Sequence, residues 1–130
     1  MFANTQLTAM SFSFPDVCKV IAGIAIILLP FPNMAMASSH IPVIYNHYIS
    51  CGMAHNLLTF GTISNGDEAG TAMGIVSNII IGPDQYILGS FKVFHSVAPA
   101  SRLTSMTTNN FYNMVGMVLV PSINKVLLLG

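Results

Sequence analysis

Val93-Phe94-His95-Ser96-Val97-Ala98-Pro99-Ala100-Ser101-Arg102-Leu103 reads as a strand, a tight turn and a second strand. β-branched and aromatic residues suit a pleated, half-buried surface, while Ser and Pro supply turn chemistry. With one gap, the run aligns to Tyr48-Ile49-Ser50-Cys51-Gly52-Met53-Ala54-His55-Asn56-Leu57, and Lys92-Val93-Phe94 returns as Lys125-Val126-Leu127. Each copy leads a strand toward a Gly or Pro turn, and in the first two a small residue stands shortly before Leu. A supersecondary unit used repeatedly must bury its face against its neighbours. The expected fold is therefore all-β: a stack of short β-hairpins, with three pseudo-repeats around a pseudo-threefold axis.

The flanking sequence agrees. Pro42–Ser50, Gly74–Ile81, Gln85–Phe94, Met114–Val120 and Asn124–Leu129 read as strands, rich in β-branched and aromatic residues and poor in helix formers. Between them lie Asn65-Gly66-Asp67, Gly82-Pro83-Asp84, Ala98-Pro99-Ala100 and Asn109-Asn110. Each offers a residue that tolerates positive φ or presets φ near −65°. Val20–Leu29 fits a buried strand or a short helix, because periodicity does not separate the two over ten residues.

The chain has 130 residues, a length that predicts one domain over 1–130 with no fused effector. It is 53% hydrophobic and only 6% charged, against roughly 25% charged in an ordinary soluble domain. A domain this small does not hide so many apolar side chains. Its surface is expected to be buried in a larger assembly. Three Lys, one Arg and four acids are scattered singly at zero net charge, which excludes a basic stripe for nucleic acid. The ten-residue Val20–Leu29 run falls short of the about 20 residues a spanning helix needs, and Pro121, Ser122, Asn124 and Lys125 interrupt Val115–Leu129. No stable transmembrane segment is predicted. Ala35-Met36-Ala37 before Ser38 has the form of a signal-peptidase site, but Asp16 and a lone Lys19 precede it, and the start is long and mostly uncharged rather than short and basic. The alternative function this leaves is a small exported or membrane-associated protein targeted by residues 20–29.

Cys18, His40, His47, Cys51, His55 and His95 are zinc-ligand types. His47, Cys51 and His55 are spaced by four, which on a strand separates them by about 13 Å per step, and only a turn at Gly52 would reunite them. Two cysteines are too few for a disulfide scaffold and read as reduced thiols. No Gly-x-Ser-x-Gly elbow supports a hydrolytic triad, so no enzyme is expected. Asp67, Glu68 and Asp84 read as turn residues, the dispersed Met as gap fillers, and the lone Arg102 as a solvent-facing cation or a partner for an acid at an interface.

Several ordered motifs carry a resemblance: Met1-Phe2-Ala3-Asn4-Thr5-Gln6, Phe14-Pro15-Asp16-Val17-Cys18-Lys19, Pro30-Phe31-Pro32-Asn33-Met34-Ala35-Met36 and Ser64-Asn65-Gly66-Asp67-Glu68-Ala69-Gly70. Further on come Leu88-Gly89-Ser90-Phe91-Lys92-Val93-Phe94, Pro99-Ala100-Ser101-Arg102 and Lys125-Val126-Leu127-Leu128-Leu129-Gly130. Together they resemble the PAAR-like proteins that cap the spike of bacterial type VI secretion systems. Pro99, Ala100, Ser101 and Arg102 look like a degenerate Pro-Ala-Ala-Arg signature. Two departures stand out. Val20–Leu29 is aliphatic where the family is rich in Pro and Gly, and His95-Ser96-Val97 replaces a common Gly pair. Bulkier residues in such left-handed turns should cost about 1 kcal/mol or more each.

The resemblance implies a small cone-like stack of short β-hairpins, a structural, non-catalytic tip that caps and sharpens a trimeric VgrG spike, and an adaptor for an effector or chaperone. It implies residence in the bacterial cytoplasm until assembly, then delivery outside the cell or into a target cell. It also implies a zinc near the tip, for which Cys18, His40 and His55 are the expected ligands.

Overall fold

The structure, a computed structural model, describes residues 1–122 and 124–130. Its longest elements are the two strands of one hairpin, β1 (Met10–Ala22) and β2 (Ala25–Met36). They continue through short strands β3 (His40–Ile41), β4 (Tyr48–Ile49), β5 (Gly52–Met53), β6 (Phe60–Gly61) and β7 (Asp84–Tyr86) to β8 (Ser90–His95), β9 (Ala98–Ala100), β10 (Met106–Asn109) and β11 (Met114–Val120). Seven strands form one antiparallel sheet in the order β2-β1-β11-β10-β7-β6-β3, and β4-β5 and β8-β9 are separate two-stranded hairpins. The fold is all-β, as the strand and turn chemistry indicates. No helix among the described residues is long and apolar enough to cross a membrane.

The alternation on β1 and β2 is inverted. Ser11, Ser13, Asp16, Asn33 and Ala35 are buried, whereas Phe12, Phe14, Met34 and Met36 face out. The interior as a whole is built this way: Asn4, Thr5, Asn56, Thr59, Thr107, Asn109 and Asn110 are almost fully buried, and the apolar core residues are mostly Ala. The other side chains of this set are hydrogen-bonded, as buried polar groups need to be, whereas the Asn4 side-chain amide is buried without a partner. The accessible surface is 6627 Å², close to the about 6,700 Å² expected for a folded monomer of this mass. The surface is normal in extent and unusual in chemistry.

The three sequence copies meet. One apolar core joins Ala3 with Ile49 and Ala54 of the first copy, Ala100 of the second and Leu128 just after the third, with Val93 and Val126 packed against it. The first two copies are the hairpins β4-β5 and β8-β9, joined by an Asn56–Ala100 bridge and by Leu57 N–H donating to Pro99 O at 3.0 Å. The third forms no hairpin. It pairs with the N-terminus through a Phe2–Leu127 bridge and Ala3 N–H to Val126 O at 3.0 Å.

Several expected elements are corrected. Val20–Leu29 is neither helix nor buried: the chain turns at Gly23-Ile24, and every residue from 21 to 30 is exposed. Gly23 was the one turn signal in the run, and the aliphatic residues on both sides of it read as a single buried segment. Gly74–Ile81 is a run of turns, with Met73, Asn78 and Ile81 at positive φ and one bridge, Cys18–Gly74. Only Tyr48–Ile49 of Pro42–Ser50 is strand, and Gln85–Phe94 spans two strands, β7 and β8. Asn124–Leu129 contributes a bridge rather than a strand, whereas Met114–Val120 is strand throughout.

Candidate functional site: two buried polar clusters

The first cluster lies under the β1–β2 hairpin. Asp16 follows a register shift in β1, and Asp67 comes from a turn that pairs with β2, Met34 and Asn65 exchanging two backbone bonds of 2.7 Å. Gly66, at φ +130°, is required there, since a Cβ would sit 2.1 Å from Pro32 O. Gly70 is needed for a different reason: a Cβ would lie 2.4 Å from that of Cys18. The ligand-type atoms of Asp16, Cys18 and Asp67 fall within 4.8 Å of one another, all buried, and this set could hold a metal ion.

The same oxygens already have donors. Asp16 Oδ2 accepts from Asn33 Nδ2 at 2.8 Å and Asn110 Nδ2 at 3.1 Å, and Oδ1 accepts from Asn113 Nδ2 and from the Cys18 thiol at 3.5 Å. Asp67 accepts from Asn110 Nδ2 and from Ile81 N–H at 3.2 Å. Asn110 Nδ2 also reaches Ile79 O at 3.1 Å, so its two protons serve three acceptors. Burial, then the Asp16 charge, pushes the Cys18 thiol up to about 12, which keeps it protonated. Burial also raises Asp67, against the pull of its bond from Ile81 N–H. An incoming cation would have to displace amides and ionise this thiol.

The second cluster lies across β3, β6 and β7. Gly61 is paired with His40 on one side and Asp84 on the other. With no side chain between them, His40 Nε2 comes within 3.0 Å of Asp84 Oδ2. The approach is off the line a hydrogen bond needs, leaving both imidazole nitrogens and both carboxylate oxygens buried without a hydrogen-bond partner. A Cβ at Gly61 would fall 1.8 Å from Asp84 Oδ1. His55 stacks on His40, ring centroids 5.4 Å apart and planes 11° from parallel. Gln6 donates its amide N–H to His40 O at 2.5 Å, so its Oε1 accepts from His55 Nε2 at 2.9 Å. His55 Nδ1 then accepts from the Tyr86 hydroxyl at 3.2 Å. That tautomer is neutral, and burial, with the nearby His40, lowers the His55 pKa to about 3.

Of the expected zinc ligands, His40 and His55 come together, whereas Cys18 belongs to the other cluster with Asp16 and Asp67. The β1–β2 hairpin carries Cys18 away from the strands that hold the histidines. Asp16, Asp67, Asp84 and Gln6 were missed as cluster members because turn or terminal residues carry no sign of the long-range partners they acquire. His47 and His95 pack with centroids 4.9 Å apart and planes tilted by 44° beside a cavity of about 270 Å³ open to solvent. Cys51 is exposed and Cys18 buried, both free thiols.

Pro99-Ala100-Ser101-Arg102 ties strands together. Asn4 N–H donates to Ser101 O at 3.2 Å, Ser101 N–H to His55 O at 3.1 Å, and Ala3 bridges Arg102. The motif thus sits where the N-terminus and the two hairpin copies meet. A family model described as Toxin PAAR-like domain matches residues 9–116. The chain belongs to this family. No curated protein and no solved structure matches it. The PAAR-like match spans β1 and β2 as well as the Pro99–Arg102 knot, and it makes the chain a PAAR-type protein, related to type VI secretion spike tips. Cleavage after Ala37 would remove both strands of the PAAR-like hairpin and with them Asp16, Cys18 and Asn33.

Proposed function

We propose that this chain is a structural tip that caps and sharpens a trimeric VgrG-type spike of a contractile injection system, and that it also serves as an adaptor for an effector or chaperone. The observation that carries the reading is the shared core of the three sequence copies beside segments that present Phe91, Phe94, Val97, Leu127 and Leu129, each more than half exposed. Apolar patches of this kind are interaction surfaces in soluble proteins. A trimeric spike end would cover them where three related segments meet. Family membership supports the same reading. The Asp16–Cys18–Asp67 and His40–His55–Asp84 side chains are buried away from any substrate, which favours a non-catalytic role. In this reading the protein waits in the bacterial cytoplasm until assembly and is then delivered outward with the spike.

Co-expression with a trimeric spike protein tests it. One chain should co-purify per three spike chains, and Val97→Asp with Leu129→Asp should abolish capture while leaving the thermal melt within a few degrees of the parent. Failure of the parent chain to associate with any VgrG trimer from the same genome would overturn the reading.

A further inference from the structure

We propose that the free end of the β1–β2 hairpin, residues 20–29, is a lipid-binding tip that seats itself in one leaflet of a bilayer. The inference does not depend on the spike reading; it concerns the opposite question, what the one aliphatic projection of the molecule is built to touch.

The root of the projection is held firmly. Lys19 N–H donates to Met73 O and Ala72 N–H to Lys19 O, both at 2.9 Å, and Ile21 N–H reaches Thr71 Oγ1 at 3.5 Å. Beyond that level the hairpin has only itself, with Ile21 opposite Ile26 and Ala22 opposite Ala25. Successive residues of a strand point to opposite faces. Ile26 and Leu28 project to one face and Ile27 and Leu29 to the other, yet all four are exposed, and Ile24 at the turn is more so than any other large apolar residue among the described residues. A protein groove covers one face of a ribbon. Hydrocarbon surrounds it.

Side-chain chemistry points the same way. From Val20 to Leu29 there is no charge and no side-chain hydrogen-bonding group for a protein partner to grip. The first charge met on descending from the turn is Lys19, paired across the ladder with Leu28, while Glu68 lies lower, where its turn packs beside Pro32 and Asn33. A cation nearest the tip, with the acid set back, complements the anionic headgroups of a membrane surface. Exposed Met73, Ile75 and Val76 extend the apolar end beside the root.

Geometry limits the depth. Four residues per arm beyond the Lys19–Leu28 pair reach about 13 Å, under half of a hydrocarbon core of about 30 Å. Among the described residues, no strand pairs with the outer edge of β2 over 25–29, and unpaired backbone groups are costly in hydrocarbon. The tip therefore enters one leaflet at the level where its backbone still meets headgroups and water, and does not cross.

Flotation of the full chain with vesicles of phosphatidylcholine, with and without phosphatidylglycerol, tests this. The chain should float with both, more strongly with the anionic lipid. Ile24→Asp combined with Ile26→Asp should lower the partition coefficient by about tenfold or more, whereas Val43→Asp with Tyr45→Asp, at an exposed apolar site elsewhere, should leave it unchanged. The chain contains no Trp, so Ile24→Trp gives a second readout that preserves apolarity: its emission should shift to the blue and be quenched by brominated acyl chains. Absence of vesicle binding by the parent, equal loss in the Val43/Tyr45 variant, or solvent-like emission from the tryptophan each overturns the proposal. So does tip-dependent dimerisation that persists with lipid present, which would assign the free edge of β2 to a second copy. Capture by a VgrG trimer is scored separately on the Ile24/Ile26 variant, so loss of lipid binding and loss of spike binding are distinguishable.

Discussion

Single residues in this protein are constrained by what lies across the sheet from them. Gly61 shows this best, because His40 and Asp84 meet over the space where its side chain would be. Gly61→Ala should destabilise the fold by about 2 kcal/mol, the usual cost of forcing extra volume into a packed site, measured as a lower denaturant midpoint. At Gly23, by contrast, an added Cβ meets nothing within 4 Å and loses only the preference for φ +65°. His55 couples the second cluster to pH. Its pKa is lowered to about 3 by burial, below the about 6.5 of an unfolded His, so the unfolded chain binds the proton more readily. The stability this contributes is fully present above about pH 6.5 and is lost as pH falls toward 3. Burial lowers His95 in the same sense. Asp67, raised by burial, works oppositely: its contribution is present in acid and is lost as pH rises through its folded-state pKa. Melts from pH 7.5 to 4 should show stability falling by about 3 kcal/mol through His55 alone. His55→Gln, less stable at neutral pH, should show a flatter profile across that window.

At the scale of elements, left-handed turns recur at residues that carry a Cβ. Ser96 stands at φ +62° in the turn between β8 and β9, and Ser50 and Cys51 at +48° and +68° in the turn between β4 and β5. A residue with a Cβ pays about 1–2 kcal/mol in that region, as the departure from a Gly pair at 95–97 implies. Ser96→Gly should accordingly raise stability by about 1 kcal/mol, read as a higher melting temperature with unchanged strand content. The gain belongs to the turn alone, since Ser96 makes no side-chain bond among the described residues. The β1–β2 hairpin is the element that local reading handled worst. Its polar residues face in and its apolar residues face out, so the period of two was present in Ser11-Phe12-Ser13-Phe14 but pointed to the wrong face. Periodicity reports that two faces differ; which one is buried depends on what packs there.

For the molecule as a whole, the question is where its apolar surface goes. A surface of ordinary extent carries an aliphatic projection at one end and aromatic and aliphatic strands where the sequence copies meet. These are the two destinations argued above, lipid and a trimeric spike, and each has its own variant pair. Much of this was legible in the sequence: the all-β class from its strand and turn residues, the surplus of apolar side chains from composition, and the PAAR-like resemblance from ordered local motifs. The first two copies could be aligned because each is a contiguous run of about ten residues. What only the tertiary structure decided is the inside of the protein. Asn110 bonds Asp16 across 94 positions and Asp67 across 43, and His40 faces Asp84 only because Gly61 lies between them. Such partners leave no trace in local spacing, so the zinc set of Cys18, His40 and His55 joined residues that the fold places in two different clusters. Composition determines how much apolar surface a chain must carry; long-range hydrogen bonding determined here which residues were kept from water and which were left to face it.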